Sequence, residues 1–149
     1  MENELVGFAL DLLDGPDTAV GTVTSGGTES VLLAVQAARD AHPHVAEPRM
    51  VLPSTAHAAF HKAAHYFGVE PVLVPVGPGF VADVAATEAA VDEASDRTVL
   101  VVASAPSYAH GVVDPVTELA ALSAARGIRC HVDACIGGWV LPYLSLIHI

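Results

Sequence analysis

Basic charge is what this 149-residue chain has least of: six Lys+Arg stand against seventeen Asp+Glu, a formal net charge of −11. A nucleic-acid backbone or an anionic lipid surface repels such a chain, which disfavours both as partners. Lysine is scarcest, with Lys62 the one example. Apolar residues make up 52% of the chain at a mean hydropathy of +0.50. Even so, no run of them approaches the about eighteen uninterrupted positions of a membrane-spanning helix. The chain also lacks internal repeats, low-complexity tracts and linkers, and its length suits one domain with a real core. So apolar a composition fits the inside of a larger protein cut from its surroundings. The two cysteines, Cys130 and Cys135, lie in and just after an apolar stretch, where buried free thiols in a reducing compartment are expected rather than a disulfide. The acidic opening Met1-Glu2-Asn3-Glu4 is unlike a secretory leader. A cytoplasmic location is the expectation.

What is present is an alternation of helical and strand patterns. Leu5 to Leu13 reads as a helix stopped by Gly15-Pro16, Val20–Thr24 as a strand, and Glu29–Ala41 as a helix with Leu32, Leu33, Val35 and Ala38 on its apolar side. Arg49–Leu52 reads as a short strand, and His57–Phe67 as a helix closed by Gly68. Pro71–Val76 reads as a strand, followed by the turn Gly77-Pro78-Gly79. Ala82–Ala94 is helical, Thr98–Ala103 a β-branched strand, Pro115–Arg126 a helix with Pro in its first turn, and Ile128–Asp133 the last strand. Short strands alternating with helices of ten to thirteen residues predict an α/β fold, a mostly parallel sheet with helices on both faces. In such sheets ligands bind beyond the carboxyl ends of the strands. Ser25-Gly26-Gly27, Ser54 to His57, Ser104 to Ser107 and Asp133 fall at those ends.

Two of these places carry chemistry. At Thr24-Ser25-Gly26-Gly27-Thr28-Glu29-Ser30 a strand pattern runs through two glycines into a helix. Glycine lets a ligand approach the backbone closely, and the first N–H groups of a helix have no partner within it, so this is an anion seat. The same glycines would also serve a plain tight turn. Glu29, in the first helical turn, suits the helix dipole but must point away from a bound phosphate. At Cys130-His131-Val132-Asp133-Ala134 an apolar strand ends in a carboxylate, which can face a cation or merely cap the following turn. A phosphate site and a cation site on one sheet suggest a phosphorylated, nitrogen-containing cofactor such as pyridoxal 5′-phosphate. His57, His61 and His65, at i, i+4 and i+8 of the predicted helix, do not make a metal centre. The outer two lie about 12 Å apart along the axis, and no metalloprotease-type Glu adjoins them. No metal is expected. Cys135 has no basic neighbour in sequence to activate it and is read as a packed thiol.

These segments, with His57-Ala58-Ala59-Phe60-His61-Lys62-Ala63-Ala64-His65-Tyr66-Phe67, Ser104-Ala105-Pro106-Ser107-Tyr108-Ala109-His110-Gly111-Val112-Val113-Asp114-Pro115 and His131-Val132-Asp133-Ala134-Cys135-Ile136-Gly137-Gly138, stand in order along the chain. Together they resemble the sphingosine-1-phosphate lyases, within the group II pyridoxal-phosphate decarboxylases of the aspartate-aminotransferase-like fold type I. The resemblance runs from about residue 3 to Leu144 and implies that residues 1–144 are part of the cofactor-binding large domain. It implies that Asp133 partners the pyridinium nitrogen, that His57 stacks on the cofactor ring, and that Gly26, Gly27 and Thr28 form the phosphate cup. Ser107, Tyr108 and His110 would lie near cofactor or substrate. A carboxylate at the ring nitrogen keeps it protonated, and a protonated ring withdraws the electrons released when a bond to Cα breaks.

The chain departs from the family in one respect that decides mechanism. The family's Schiff-base lysine follows a histidine in a later segment, and Lys62 aligns with a different position, so that lysine is absent from this chain. Residues 145–149 do not resemble the family's continuation and are expected to be a tail of doubtful origin. The resemblance implies a fragment of a lyase cleaving a carbon–carbon bond of a small-molecule amine, homodimeric when full length and inactive as this chain alone. Amino-acid decarboxylation and a non-catalytic cofactor-binding or dimerisation module stay open beside it. The Ser-Ala-Pro-x-Tyr-x-His-Gly segment favours the lyase.

Overall fold

The computed structural model describes residues 1–143; the expectation of a foreign tail at 145–149 lies outside the described residues. Four strands, β1 (Arg49–Pro53), β2 (Glu70–Val74), β3 (Thr98–Ser104) and β4 (Arg129–Asp133), form one sheet in the order β2-β1-β3-β4. All pairings are parallel. The helices are α1 (Glu2–Leu12), α2 (Gly27–Asp40), α3 (Ala59–Phe67), α4 (Val84–Glu93), α5 (Val116–Ala125) and the short α6 (Gly137–Val140). No helix among the described residues is long and apolar enough to cross a membrane.

Both faces of the sheet are covered, as a parallel sheet requires. On one face Met50, Leu52, Leu100 and Val102 meet Val31, Val35 and Ala38 of α2 and Phe60, Ala63 and Ala64 of α3. On the other, Val51, Val101 and Ala103 meet Val91 of α4 and Leu119 and Leu122 of α5. Burial of each larger side chain contributes about 1.5–3 kcal/mol, and β3, buried at all of its seven positions, collects from both sides. His131 of β4 faces the first of these layers, edge-on to the Phe60 ring with centroids 5.8 Å apart. Burial holds its imidazole below the usual pKa, against the opposing pull of the Asp133 carboxylate.

Local chemistry sets the boundaries. Gly68 takes a left-handed φ of 64° to stop α3, and its N–H closes on the Ala64 carbonyl. Asp83 caps α4, its Oδ1 accepting the Ala86 N–H at 3.0 Å. Two expectations are corrected. Residues 20–24 form no strand: they join no β-ladder among the described residues, Val23 N–H donates instead to Glu2 Oε1 at 3.1 Å, and Val20 is 93% exposed. Their apolar pattern is strand-like, but a strand needs a neighbour, and β4 is separated from them by a cavity. The helix expected from His57 begins at Ala59, because His57 instead turns back onto the Ala59 N–H, so His57, His61 and His65 do not share a helical face. Of the thiols, both free, Cys130 is half-buried, and burial raises its pKa, whereas Cys135 is exposed rather than buried.

α6 docks so closely that a Cβ at Gly137 would collide with the Ala105 carbonyl, while one at Gly138 would meet only Ala134 Cβ at 3.6 Å. In the intact protein Gly137→Ala is expected to cost about 1–3 kcal/mol, and Gly138→Ala less than about 0.5 kcal/mol. Urea denaturation of both variants checks this, and equal costs would mean that α6 is free to shift. His131 gives a pH signature. Its folded pKa lies below the unfolded value of about 6.5, so on acidification the unfolded chain takes up the proton first and stability falls. Between about pH 7.5 and pH 5.5 the wild type should lose more stability than His131→Phe. Equal losses would mean that His131 protonates freely in the fold.

Candidate active site

Three strands deliver the candidate residues to one rim of the sheet. β1 runs into Ser54–His57, β3 into the loop of residues 105–114, and β4 ends in Asp133 and turns into α6. The helix that opens toward this rim is α2. It begins at Gly27, two residues earlier than its pattern suggests, and its N-cap Gly26 offers no side-chain cap. Thr28 therefore lies in the first helical turn, and the leading N–H groups point outward unpartnered by any capping side chain. Around them Thr24 Oγ1 shares a 2.7 Å hydrogen bond with Ser30 Oγ, tying the segment before the helix to its first turn. Glu29, expected to point away from a bound phosphate, is exposed and turns back along the chain. Its Oε2 accepts the Ser25 N–H at 2.6 Å, a bond that holds its carboxyl below the usual pKa and fixes the charge upstream of Gly26.

Asp133 caps a turn with one of its oxygens. Oδ1 accepts the Cys135 N–H at 3.2 Å, capping the turn into α6, and among the described residues nothing donates to Oδ2. The same turn carries Cys135 Sγ to the backbone of Gly27: a Cβ built there would lie 3.0 Å from the sulfur. Gly26, Gly27 and Asp133 line one cavity of about 600 Å³, bounded on its other sides by α1 and residues 20–24. Thr28, His57, Ser107, Tyr108 and His110 are not on its wall.

The remaining candidates gather along the β1 and β3 ends. His57 Nδ1 accepts the Ala59 N–H at 3.1 Å, which fixes this nitrogen as the acceptor and puts the proton of the neutral ring on Nε2. Its ring meets Tyr108 edge-on, with centroids 6.1 Å apart. Tyr108 is 78% exposed. Ser107 is the reverse: it is 1% exposed, and its Oγ has no hydrogen-bond partner among the described residues. Its backbone closes the loop, Ser107 N–H donating to Val112 O at 2.8 Å and Gly111 N–H to Ser107 O at 2.9 Å. His110 stacks on Phe80 at 4.2 Å. No group of three metal-binding side chains occurs among the described residues, and Lys62 lies on the exposed side of α3 with Nζ over the Tyr66 ring.

Sequence reasoning missed Asp114 as a working residue. Buried at 3% exposure, it accepts the Ala82 N–H at 2.9 Å and the Ser104 N–H at 2.7 Å, one on each carboxylate oxygen. The available signal was a lone carboxylate between Val112-Val113 and Pro115, a setting in which an Asp must be bonded or exposed. The ensemble fits a phosphorylated pyridine. An uncapped helix start suits the phosphate, a carboxylate with a spare oxygen suits a ring N–H, and an imidazole whose Nδ1 is held by a backbone N–H suits stacking on a ring.

Comparison with known proteins agrees. Residues 1–144 match the family model described as the pyridoxal-dependent decarboxylase conserved domain. A sphingosine-1-phosphate lyase of Arabidopsis thaliana is 41% identical over 95% of this chain and 27% of its own length. An L-aspartate/L-glutamate decarboxylase of Pyrococcus horikoshii is 38% identical over 96% of this chain and 36% of its own. The solved sphingosine-1-phosphate lyase of Burkholderia pseudomallei K96243 superposes with a TM-score of 0.88 at 38% identity, covering 95% of this chain and 34% of that one. The chain thus spans about a quarter of the plant relative's length. Matched along nearly its whole length and sharing the fold type I sheet, the chain belongs to the pyridoxal-dependent decarboxylase family.

Proposed function

We propose that the protein containing this chain is a pyridoxal-phosphate-dependent lyase that cleaves the Cα–Cβ bond of a phosphorylated amino alcohol, with residues 1–144 as part of its cofactor-binding large domain. The observation that carries this reading is Asp133. Its carboxylate stands at the end of β4 with one oxygen spent on the Cys135 N–H and the other available, on the same wall as the α2 glycines. When bound, the cofactor ring supplies a sink for the electrons released at Cα. Asp133 holds a proton at the ring nitrogen, because a carboxylate within hydrogen-bond reach favours the charged form. Gly26, Gly27 and Thr28 bind the phosphate through backbone N–H groups and the Thr28 hydroxyl, and the α2 dipole supports the charge. His57 orients the ring by stacking, its own plane held by the Ala59 N–H and the Tyr108 edge. Ser107, Tyr108 and His110 face the substrate. Ser107 Oγ is the buried hydroxyl in want of a partner.

Substrate class rests on likeness. The 41% identical relative is a sphingosine-1-phosphate lyase, and the decarboxylase relative at 38% supports the second reading, loss of CO₂ from an amino acid. Both reactions use the same residues on this chain and differ in which bond of the substrate is held perpendicular to the ring. Turnover requires a lysine that Lys62 does not provide, so it belongs to the larger protein. We place that protein in the cytoplasm as a homodimer, in keeping with the free thiols.

The full-length protein, given a phosphorylated long-chain amino alcohol and separately a panel of amino acids, should release a long-chain aldehyde from the first and no CO₂ from the second. CO₂ release alone would transfer the reading to the decarboxylase, and neither product would end it. Asp133→Asn should lower kcat by about 100-fold or more while phosphate-cup binding of the cofactor persists. Wild-type kcat in that variant would remove Asp133 from the site.

A further inference from the structure

The turn between β2 and α4 contains an aromatic side chain in a costly place. Phe80 has a left-handed φ of 65°, a conformation that is unfavourable for a residue with a Cβ. It closes a turn in which Phe80 N–H donates to Gly77 O at 3.1 Å, with Pro78 and Gly79 (φ 83°) at the centre. Gly77 N–H in turn donates to Val81 O, and a bridge pairs Val76 with Ala82. The ring gains little from burial, since the residue stays 53% exposed. Its chief contact is the His110 imidazole, 4.2 Å away and 23° from parallel, a stacked geometry.

The base of the same hairpin is fixed to the same loop. Asp114 accepts the Ala82 N–H on one oxygen and the Ser104 N–H on the other, so one buried carboxylate locates both the hairpin and the end of β3. The hairpin and the 105–114 loop therefore touch at two separate points: a buried hydrogen-bonded base and a stacked pair at the tip. On its opposite flank the loop meets the site through Tyr108, whose ring edges His57. A stack engages the face of an imidazole and leaves both ring nitrogens free in its plane. Among the described residues neither nitrogen of His110 is hydrogen-bonded.

We propose that Phe80 is a positioning residue: its ring fixes the plane of the His110 imidazole, so that the ring nitrogens are presented to the substrate in one orientation. This rests on the reading of His110 as a substrate-side group. Phe80 touches neither cofactor nor substrate in this role; Asp114 sets its distance, and the left-handed turn sets its direction.

The test uses the full-length protein, loaded with cofactor and labelled with [¹³C]histidine, as wild type, Phe80→Leu and Phe80→Tyr. The His110 ring signal, assigned through His110→Asn, should be displaced upfield by the stacked ring in the wild type and in Phe80→Tyr, and should return to the open position in Phe80→Leu. Cofactor binding, titrated by absorbance, should be the same in all three. In turnover, Phe80→Leu should lose about tenfold in kcat/KM, since misplacing a reacting-side group is costly. Phe80→Tyr should stay near wild type, and Phe80→Leu should cost nothing further in a His110→Asn background. An undisplaced His110 signal in the wild type overturns the inference. So does an equal loss from Phe80→Leu with or without His110, or unchanged kinetics in Phe80→Leu. If the full-length protein turns over neither substrate class, the proposed function fails, and the ring displacement alone decides whether Phe80 holds His110.

Discussion

A strand buried on both faces cannot slide, and β3 is that strand. Every one of its residues is inside, and from Leu100 to Ala103 they alternate between the α2–α3 layer and the α4–α5 layer, so over that stretch a shift by one position would turn each side chain into the wrong layer. Its register is passed outward. Ser104 pairs with Asp133 across the sheet, and Ala105 N–H donates to the Asp133 carbonyl at 2.8 Å. Ser104 N–H also takes one oxygen of Asp114. The depth at which Asp133 sits, the start of the 105–114 loop and the base of the Phe80 hairpin are thus all measured from one end of one strand.

So acidic a chain has little positive charge with which to attract an anion to this cavity. With a net charge of −11, the protein has few cations to spend, and no Lys or Arg lines the cavity that holds Gly26, Gly27 and Asp133. The available attraction is the amino end of α2, where oriented N–H groups concentrate a partial positive charge. Glu29 works within that arrangement. By folding back onto the Ser25 N–H it satisfies an amide before the helix and leaves the amides after Gly26 alone. Glycine at position 27 also gives Cys135 room, since a Cβ there would lie 3.0 Å from its sulfur.

The sheet, its parallel sense and its helices were legible because each obeys a period that the sequence displays: the branched run of β3, Val35 and Ala38 in α2, and the glycine after α3. The buried face of α2 was read one position off: Leu33, expected on the apolar side, is 39% exposed, and Val31, at 4%, is the residue turned inward. Residues 20–24 were misread because apolar alternation reports what a segment can pair with, not whether a neighbour is there. His57 was misread because an imidazole can cap a helix as easily as extend it, and periodicity does not distinguish the two. At the site, the glycines, Asp133 and the 105–114 loop could be found by motif. The two contacts that hold the loop could not. Asp114 reaches across 32 residues to Ala82, and Phe80 meets His110 across a similar gap, and neither pairing leaves a local trace.

The two margins of the sheet are built differently. β2 carries Pro71, which has no N–H to offer a further strand, and Glu70, held in an ion pair with Arg97 at 2.9 Å. β4 has no proline, and its outer side opens onto the cavity between it and the apolar residues 20–24. With one margin blunted and the other left receptive, the sheet favours addition beside β4. A strand arriving there would lie next to Asp133 and close the cavity that Gly26 and Gly27 also line.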